Sequence, residues 1–209
     1  MSSHAHATVF IVDADRAFCD GLRRSLAGVG HRAAAYADAE AFLAECDLQQ
    51  PGCLVLEAHL PGIDGLQLQN ELNRRACHLP VVFVTAHGDV PTAVAALRNG
   101  AAEFLEKPVG EQILVDAIEK ALKLDAERRR EHARKKTVAA CIEKLTARER
   151  EIMRYVVAGK MNKTIADELC ISIKTVEAHR ARVMEKVGVD SVAALVQLAF
   201  EIDQPRTAH

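Results

Sequence analysis

Charged and hydroxyl side chains that could take part in chemistry stand directly after four of the short apolar runs in the chain. Asp13 and Asp15 follow the first run, Glu57 the third, Thr85 the fourth and Lys107 the fifth. A carboxylate attacks phosphorus only when metal and ammonium charge neutralise the developing oxyanions and hold the geometry. Carboxylates, a hydroxyl and an ammonium group are therefore the side chains that such chemistry would use.

The spacing of apolar residues predicts the elements that would position these groups. Apolar runs at 8–12, 32–36, 53–56, 81–84 and 103–105 alternate with amphipathic stretches at 16–26, 39–47, 65–74, 92–98 and 111–123. This alternation predicts a doubly wound α/β fold, a parallel five-stranded sheet covered by helices on both faces. The working loops of that fold lie at the carboxyl ends of its strands.

Charge divides the chain into three parts. The 209 residues carry a net charge of −2 and 49% of them are apolar, which is typical of a folded protein with one or two domains. The net charge is −6 over residues 1–124, +3 over 125–140 and +1 over 141–209. We predict a first domain over 1–124, a helical basic linker over 125–140 and a second domain over 141–209. Residues 125–136 have no apolar face beyond two alanines, which favours a solvated helix over the alternative of a nucleic-acid contact.

Several motif classes are absent from the sequence. The six cysteines form no C-x-x-C pair and no zinc-finger spacing, so most are predicted to be buried small hydrophobes, with a redox-sensing thiol as the alternative. The sequence contains no Gly-rich phosphate loop, no H-E-x-x-H motif and no serine elbow, so no catalytic motif of these classes indicates an enzyme. No secretory signal pattern opens the sequence, and no window approaches the ~18 apolar residues of a membrane span. A cytoplasmic location is expected.

From Leu145 onwards the pattern predicts four short helices, a separate all-α domain. Their predicted N-caps are Thr146 (in a capping box with Glu149), Asn162, Ser172 and Ser191. Only three residues separate the second helix from the third. Two helices joined by such a tight turn form a helix-turn-helix signature.

The third of these helices has one face for a core and one that suits the major groove of DNA. Val176, Val183 and Val187 fall within ~40° of one another and define the buried stripe. The opposite face and its flank hold small side chains and groups that could reach base edges or phosphates: Lys174, Glu177, Ala178, Ala181, Arg182 and Glu185. Thr175, Lys163 and the helix N-terminal amides would hold phosphates. The alternative is a generic helical packing unit with solvated charges, and His179 is predicted to be a hydrogen-bonded structural residue.

The segments LTARERE, GKMNKTIA and ISIKTVEAHRARVMEK, between Leu145 and Lys186, resemble the LuxR-type DNA-binding domain in its FixJ-like subfamily. The resemblance implies a sequence-specific transcription factor that binds double-stranded DNA at promoter half-sites as a homodimer. It also implies that the helix from Ser191 to Ile202 pairs the two DNA-binding domains. The residues expected to be exposed for this contact come from Val192, Leu195, Val196 and Ala199.

The front domain resembles the receiver domain of two-component response regulators. FIVDAD (10–15), LEAHLPGIDG (56–65), VTA (84–86) and EKP (106–108) match that family's pocket in order and spacing. In the family, an acidic pair binds magnesium, an aspartate accepts the phosphoryl group, and a Ser/Thr and a lysine bind its oxygens. The resemblance implies that Asp13, Thr85 and Lys107 are retained pocket residues and that Phe104 is the aromatic switch residue.

Two decisive positions of this pocket differ from the family. Ala14 replaces the second acid of the pair, and Asp15 stands one residue late; magnesium demands near-octahedral oxygen ligands at ~2.0–2.1 Å. Glu57 replaces the acceptor aspartate with one extra methylene, and a misplacement of ~1 Å can cost ~10²-fold in rate. We expect no ordinary phosphotransfer, absent or weak magnesium binding and no other cofactor.

Glu57 is instead predicted to reach towards Thr85 and Lys107. One carboxylate charge would then stand in for the roughly two of a phosphoryl group, with Phe104 following Thr85 inward. The hypothesis is a receiver biased towards its active-like state without phosphate. The alternative is a Glu57–Lys107 ion pair that only maintains the fold.

A DNA-binding transcriptional regulator is therefore the main prediction. One alternative is an adaptor that uses its receiver surface to bind a kinase or another regulator. Another is a regulator still switched by an unusual phosphorylation or by a ligand. The expected partners are DNA, a second copy through the receiver surface, and RNA polymerase or a sensor protein, but no membrane.

Overall fold

A computed structural model describes residues 7–203 of the chain. The outer ends of the two predicted domains, residues 1 and 209, lie outside the described residues. So does most of the N-terminal segment in which no secretory signal pattern was found. The chain forms two compact units that divide between Arg129 and Arg130. Each unit is described by itself.

Five parallel strands form the sheet of the first unit. They are β1 (Thr8–Val12), β2 (Arg32–Tyr36), β3 (Gly52–Leu56), β4 (Val81–Thr85) and β5 (Glu103–Glu106), in the order β2-β1-β3-β4-β5. The chain changes its winding direction between β1 and β3, so a crevice opens at the carboxyl ends of these two strands. The predicted doubly wound fold is confirmed.

Four helices of this unit begin after an aspartate. They are α1 (Arg16–Gly28), α2 (Ala39–Glu45), α3 (Gly65–Arg74) and α4 (Val90–Arg98). The preceding aspartate of each accepts backbone N–H bonds from the first turn, which typically contributes about 1 kcal/mol. Because Asp89 caps α4, that helix begins two residues earlier than predicted.

The sheet buries an apolar layer on each face. Phe42 and Phe83 are fully buried on the face covered by α2, α3 and α4, and Leu26 and Ile118 on the other. Full burial of such a side chain stabilises the fold by ~1.5–3 kcal/mol. These layers hold the strands, and with them the loops at the strand ends, in fixed positions.

Helix α5 (Glu111–Glu143) continues without a break through the segment predicted as a helical linker. The linker is helical, but the prediction that it is solvated from its first residue is wrong. Asp125 is only 2% exposed and accepts a hydrogen bond from the Gly52 backbone N–H at 3.0 Å. The reason is that a short loop of the first unit supplies donors and acceptors to this part of α5.

The second unit packs four short helices with the end of α5. They are α6 (Ala147–Val157), α7 (Asn162–Glu168), α8 (Ile173–Val187) and α9 (Val192–Asp203). Ile152, Ile165 and Leu195 are fully buried in its core. Of the residues from which the contact of the fourth helix was expected, Leu195 is buried in this core and Val192 is exposed, and Phe200 is exposed as well.

Three of the four predicted N-caps in this unit are confirmed. Thr146 forms a capping box, and the hydroxyls of Ser172 and Ser191 accept backbone N–H bonds. The prediction that Asn162 caps a helix is wrong, because α7 begins at Asn162 and its side-chain oxygen accepts a hydrogen bond from Arg180.

The burial of the cysteines is mixed. Cys19, Cys53 and Cys77 are buried, two others are half-buried, and all six are free thiols. Cys170 is exposed in the turn between α7 and α8 and is an exception to the prediction that most are buried. Burial raises the pKa of Cys19 and Cys46 to about 11, which keeps both in the less reactive thiol form. Among residues 7–203, no helix has the length and apolar character to cross a membrane.

Candidate functional site

Lys107 lies between two carboxylates at the carboxyl ends of the strands. Its Nζ is 2.6 Å from Asp13 Oδ2 and 3.1 Å from Glu57 Oε2. The sheet brings the three residues together, because they follow β5, β1 and β3 respectively. Both carboxylates are buried and the lysine side chain is 16% exposed, so water and salt screen these ion pairs weakly.

Glu57 uses both of its carboxylate oxygens within the protein. Oε1 accepts the His59 backbone N–H at 3.2 Å, Oε2 accepts from Lys107, and the Thr85 hydroxyl also donates to the carboxylate. Burial alone would raise the pKa of Glu57, but the bonds from Thr85, His59 and Lys107 outweigh it and lower the pKa. Glu57 is therefore held in its charged form.

The Lys107 ammonium group is surrounded by acceptors. Burial alone would lower its pKa, but the hydrogen bonds to Asp13 and Glu57 outweigh it and raise the pKa. Nζ also lies 4.1 Å from the centre of the Phe18 ring, which is a cation–π contact. Two carboxylates and one ring face thus surround a group with three N–H donors.

The acidic residues after β1 are already occupied by donors. Asp13 Oδ1 accepts the Asp15 backbone N–H at 2.8 Å, while Oδ2 accepts from Lys107. Asp15 Oδ1 caps α1 by accepting two backbone N–H groups, and Ala14 supplies only a methyl group. In the part of the chain that the structure describes, no three His, Cys, Asp or Glu side chains are arranged to hold a metal ion. Magnesium needs a near-octahedral set of oxygens, and both oxygens of Asp13 and one of Asp15 already accept hydrogen bonds from the protein.

Thr85 and Phe104 form the side of the pocket at β4 and β5. Thr85 is fully buried, and its Oγ1 accepts the His87 backbone N–H at 3.3 Å. Phe104 is half-buried and stacks on Phe83 with ring centroids 5.8 Å apart. A Cβ at position 88 would lie 3.2 Å from the Phe104 ring, so Gly88 leaves the ring its space. Thr85 thus faces Glu57 while Phe104 packs against the sheet.

A second candidate site is the outward face of α8. Val176, Val183 and Val187 are buried, as predicted. The exposed residues of this helix include Lys174, Glu177, Ala178, Ala181, Arg182 and Glu185. Lys163 on α7 is also exposed, and Thr175 is half-buried with its N–H and Oγ1 bonded to the Ser172 hydroxyl. All the residues predicted to contact DNA except Thr175 are thus open to solvent.

Two polar contacts attach α8 to its neighbours. Lys186 Nζ lies 2.7 Å from Oε2 of the buried Glu149 on α6, and Arg180 donates to Asn162 on α7. Hydrogen bonds from Lys186 and the Thr146 backbone lower the pKa of Glu149 to about 2. These contacts fix the orientation of α8 without using its outward residues.

Some functional residues differ from the sequence prediction or were not found by it. His179 is half-buried, but its buried Nδ1 has no hydrogen-bond partner among residues 7–203, so the predicted hydrogen bond is wrong for that atom. Neither Phe18 nor His59 had a signal in the sequence. The sequence did single out Glu149 as a member of the capping box, but that motif gave no indication that Lys186 is its partner.

The chain matches two protein families, one in each unit, and it is similar to known proteins over both units. Residues 9–119 match the "Response regulator receiver domain" and residues 143–199 match "Bacterial regulatory proteins, luxR family". The chain is 40% identical over 192 residues to "Transcriptional regulatory protein FixJ" of Azorhizobium caulinodans, covering 92% of this chain and 91% of that one. It is 37% identical over 203 residues to "Tetrathionate response regulatory protein TtrR" of Salmonella typhimurium, covering 96% of each.

Two solved structures are similar over nearly the whole chain. The response regulator StyR matches with a TM-score of 0.82 and 42% identity, covering 94% of this chain and 100% of that one. Full-length FixJ from B. japonicum matches with a TM-score of 0.58 and 36% identity, covering 94% and 97%.

Proposed function

Because the chain belongs to the FixJ-type response regulators, which are DNA-binding transcriptional regulators, we propose that its receiver domain controls DNA binding without taking up a phosphoryl group. The observation that carries this proposal is the position of Lys107 between Asp13 and Glu57. The lysine that would bind a phosphoryl oxygen is instead bonded to two carboxylates of the chain itself.

Phosphoryl transfer to Glu57 is disfavoured by geometry and by charge. The extra methylene shifts the carboxylate, and ~1 Å of misplacement can cost ~10²-fold in rate. Asp13 and Asp15 are engaged by other donors and Ala14 offers no oxygen, so the pocket does not supply magnesium to neutralise charge on the transferred group. The proposed receiver works without a cofactor, and the chain has no enzymatic activity.

Glu57 holds the receiver in an active-like arrangement. Its carboxylate accepts from Thr85 and Lys107, the two groups that would otherwise bind a phosphoryl group. Thr85 is fully buried beside it, and Phe104 packs on Phe83. Because one carboxylate charge replaces roughly two phosphoryl charges, the bias towards the active state is partial.

The outward face of α8 reads DNA. Lys174, Glu177 and Arg182 reach base edges or phosphates, and Ala178 and Ala181 let the helix sit deep in the major groove. Lys163, Thr175 and the N-terminal amides of α8 bind phosphates.

The regulator binds paired half-sites as a homodimer. On the receiver, Val90, Val94 and Leu97 form an exposed apolar stripe along α4, and on α9 Val192 and Phe200 are exposed. Contacts of this type between two copies would pair the DNA-binding domains at a fixed half-site spacing. RNA polymerase or a sensor protein is a further partner, and DNA as the target implies a cytoplasmic location.

Mass measurement after incubation with acetyl phosphate and magnesium tests the absence of phosphorylation. We expect no gain of mass in the wild-type chain. The matched control is the double variant Ala14→Asp with Glu57→Asp, which restores both family residues and is expected to gain one phosphoryl group. A stoichiometric gain in the wild type, on Glu57 or Asp13, would overturn the proposal.

A gel shift with upstream genomic DNA separates the regulator from an adaptor that uses only its receiver surface. We expect sequence-selective binding that weakens steeply as salt is raised. An adaptor would leave α8 idle and would shift no fragment.

A further inference from the structure

The part of α5 around residues 125–129 is attached to the receiver at the amino ends of the strands. This edge of the sheet lies opposite the pocket. Arg129 donates from its two terminal nitrogens to the carbonyls of Gln49 and Gln50, at 2.6 Å each. Its Nε donates to Asp125, whose Oδ2 also accepts the Gly52 N–H. We call Asp125, Arg129 and these backbone groups of residues 49–52 the α5 clamp.

The loop side of the α5 clamp is held by its own hydrogen bonds and by close packing. Asp47 accepts the Gln49 N–H with its side chain and the Gln50 N–H with its carbonyl, at 2.9 Å each. A Cβ at position 52 would lie 2.0 Å from the Thr8 carbonyl oxygen, so Gly52 fits there because it has none. The two carbonyls therefore point at Arg129 from a fixed frame, and the fork of a guanidinium group matches such a pair where an ammonium group would not.

The helix side of the α5 clamp forms only when α5 is helical. Asp125 and Arg129 are four residues apart, and this spacing places two side chains on one face of a helix but not of an extended chain. Asp125 is buried, so its charge requires these partners. Residues 130–137 carry one apolar side chain, Ala133, and isolated helices shorter than ~12–15 residues are marginal in water. The clamp thus supplies an ordered start for the rest of the helix.

We propose that Asp125 and Arg129 are positioning residues that fix how α5 leaves the receiver and that paired binding to DNA depends on them. This inference rests on the DNA-binding function but not on the state of Glu57. It assigns a role to two residues that the charge pattern of the linker would leave in solvent.

Hydrogen exchange of the full chain tests the first part. In Arg129→Met, amides of residues 130–137 are expected to exchange about tenfold faster than in the wild type, because the helix frays from its lost anchor. Arg129→Lys, which keeps the charge but not the fork, is expected to fall between the two. Arg128→Met, which removes the neighbouring exposed charge, is the matched control and is expected to behave as the wild type. Equal exchange in both Met variants, or equally faster exchange in strand β3, would overturn the proposal.

DNA affinity tests the second part. Arg129→Met is expected to bind DNA with two half-sites about tenfold more weakly, with affinity for a single half-site unchanged, since only simultaneous binding requires a fixed geometry. Unchanged affinity for paired sites, or an equal loss on single sites, would overturn it. Glu57→Ala is expected to leave the exchange of residues 130–137 unchanged, so failure of this inference is distinguishable from failure of the proposed function.

Discussion

The Nζ of Lys107 lies closer to Asp13 Oδ2, at 2.6 Å, than to Glu57 Oε2, at 3.1 Å. The acid that remains from the pair after β1 therefore serves as a counter-ion for the lysine. Glu57 shares that lysine and adds bonds from Thr85 and the His59 backbone. The charged groups of the pocket are therefore paired with one another, and the first two predictions concern the loss of one partner from these pairs.

Removing the Glu57 carboxylate is expected to weaken DNA binding. Glu57→Ala frees Thr85 and Lys107, so the active-like state loses population and affinity falls by about tenfold, within the usual range of coupling between two sites. Glu57→Gln keeps the shape but not the charge and separates the two contributions. Fluorescence anisotropy with labelled DNA measures the effect. Unchanged affinity and dimerisation would favour the alternative in which Glu57–Lys107 only maintains the fold.

Removing the Lys107 ammonium group is expected to destabilise the receiver. Lys107→Met leaves Asp13 and Glu57 as uncompensated buried carboxylates, and breaking such a pair costs about 3 kcal/mol or more. The pKa of Glu57, which Lys107 helps to lower, would then rise, so the variant should regain stability as pH is lowered. Denaturant unfolding at neutral and acid pH measures both effects. Lys123→Met, at an exposed position of α5, is the control and should lose little.

A methyl group at position 65 is expected to disturb the backbone of Glu57. The Cβ of Gly65→Ala would lie 2.4 Å from the Glu57 carbonyl oxygen, so the start of α3 must shift at a cost of about 1–3 kcal/mol. Gly21→Ala is the matched control, since its Cβ would have nothing within 4 Å, and alanine in a helix is favoured over glycine by roughly 0.5–1 kcal/mol. If the space around each glycine decides the outcome, thermal unfolding shows a lower melting temperature than the wild type for Gly65→Ala and a higher one for Gly21→Ala.

The ion pair between Glu149 and Lys186 predicts a pH dependence in the second unit. The pKa of Glu149 is lowered from 4.5 to about 2 in the folded state by Lys186 and the Thr146 backbone. A depressed pKa adds stability above the unfolded value, and this is lost as pH falls from 4.5 towards 2. The free energy of unfolding of Glu149→Gln should therefore lie furthest below that of the wild type above pH 4.5, and the two values should converge in acid. Glu185→Gln, an exposed carboxylate of α8, is the control, and a constant difference would contradict the assignment.

Removing Lys163 is expected to weaken DNA binding without changing its selectivity. If the exposed lysine binds a phosphate, Lys163→Ala lowers affinity for all sequences alike and reduces the slope of log affinity against log salt by about 0.9. Titrations at several salt concentrations, with specific and unrelated DNA, measure both quantities. A loss confined to one sequence would make Lys163 a reader of bases instead.

Much of the fold was predictable because local signals and apolar spacing agree. The strands follow the apolar runs within two residues, and the capping box at Thr146 and Glu149 marks the start of α6. Local signals fail where a distant residue competes. Asn162 has the right type and place for an N-cap, but Arg180 of α8 takes its side-chain oxygen.

The pocket was predictable in its members but not in all of its contacts. Strand ends bring Asp13, Glu57 and Lys107 together, which follows from the order of the sheet. No spacing indicates that Lys107 bonds Asp13 more closely than Glu57, since this depends on side-chain geometry. Asp125 and Arg129 show the same limit, because an i, i+4 pair looks alike on a solvated helix and on one anchored to a loop.

A carboxylate that is part of a side chain cannot be removed by hydrolysis. A phosphorylated receiver has a lifetime set by the stability of its acyl phosphate, and it can be reset. The negative oxygen that Glu57 presents to Thr85 and Lys107 lasts as long as the polypeptide. Synthesis and degradation of the chain would then take over the timing that dephosphorylation provides elsewhere.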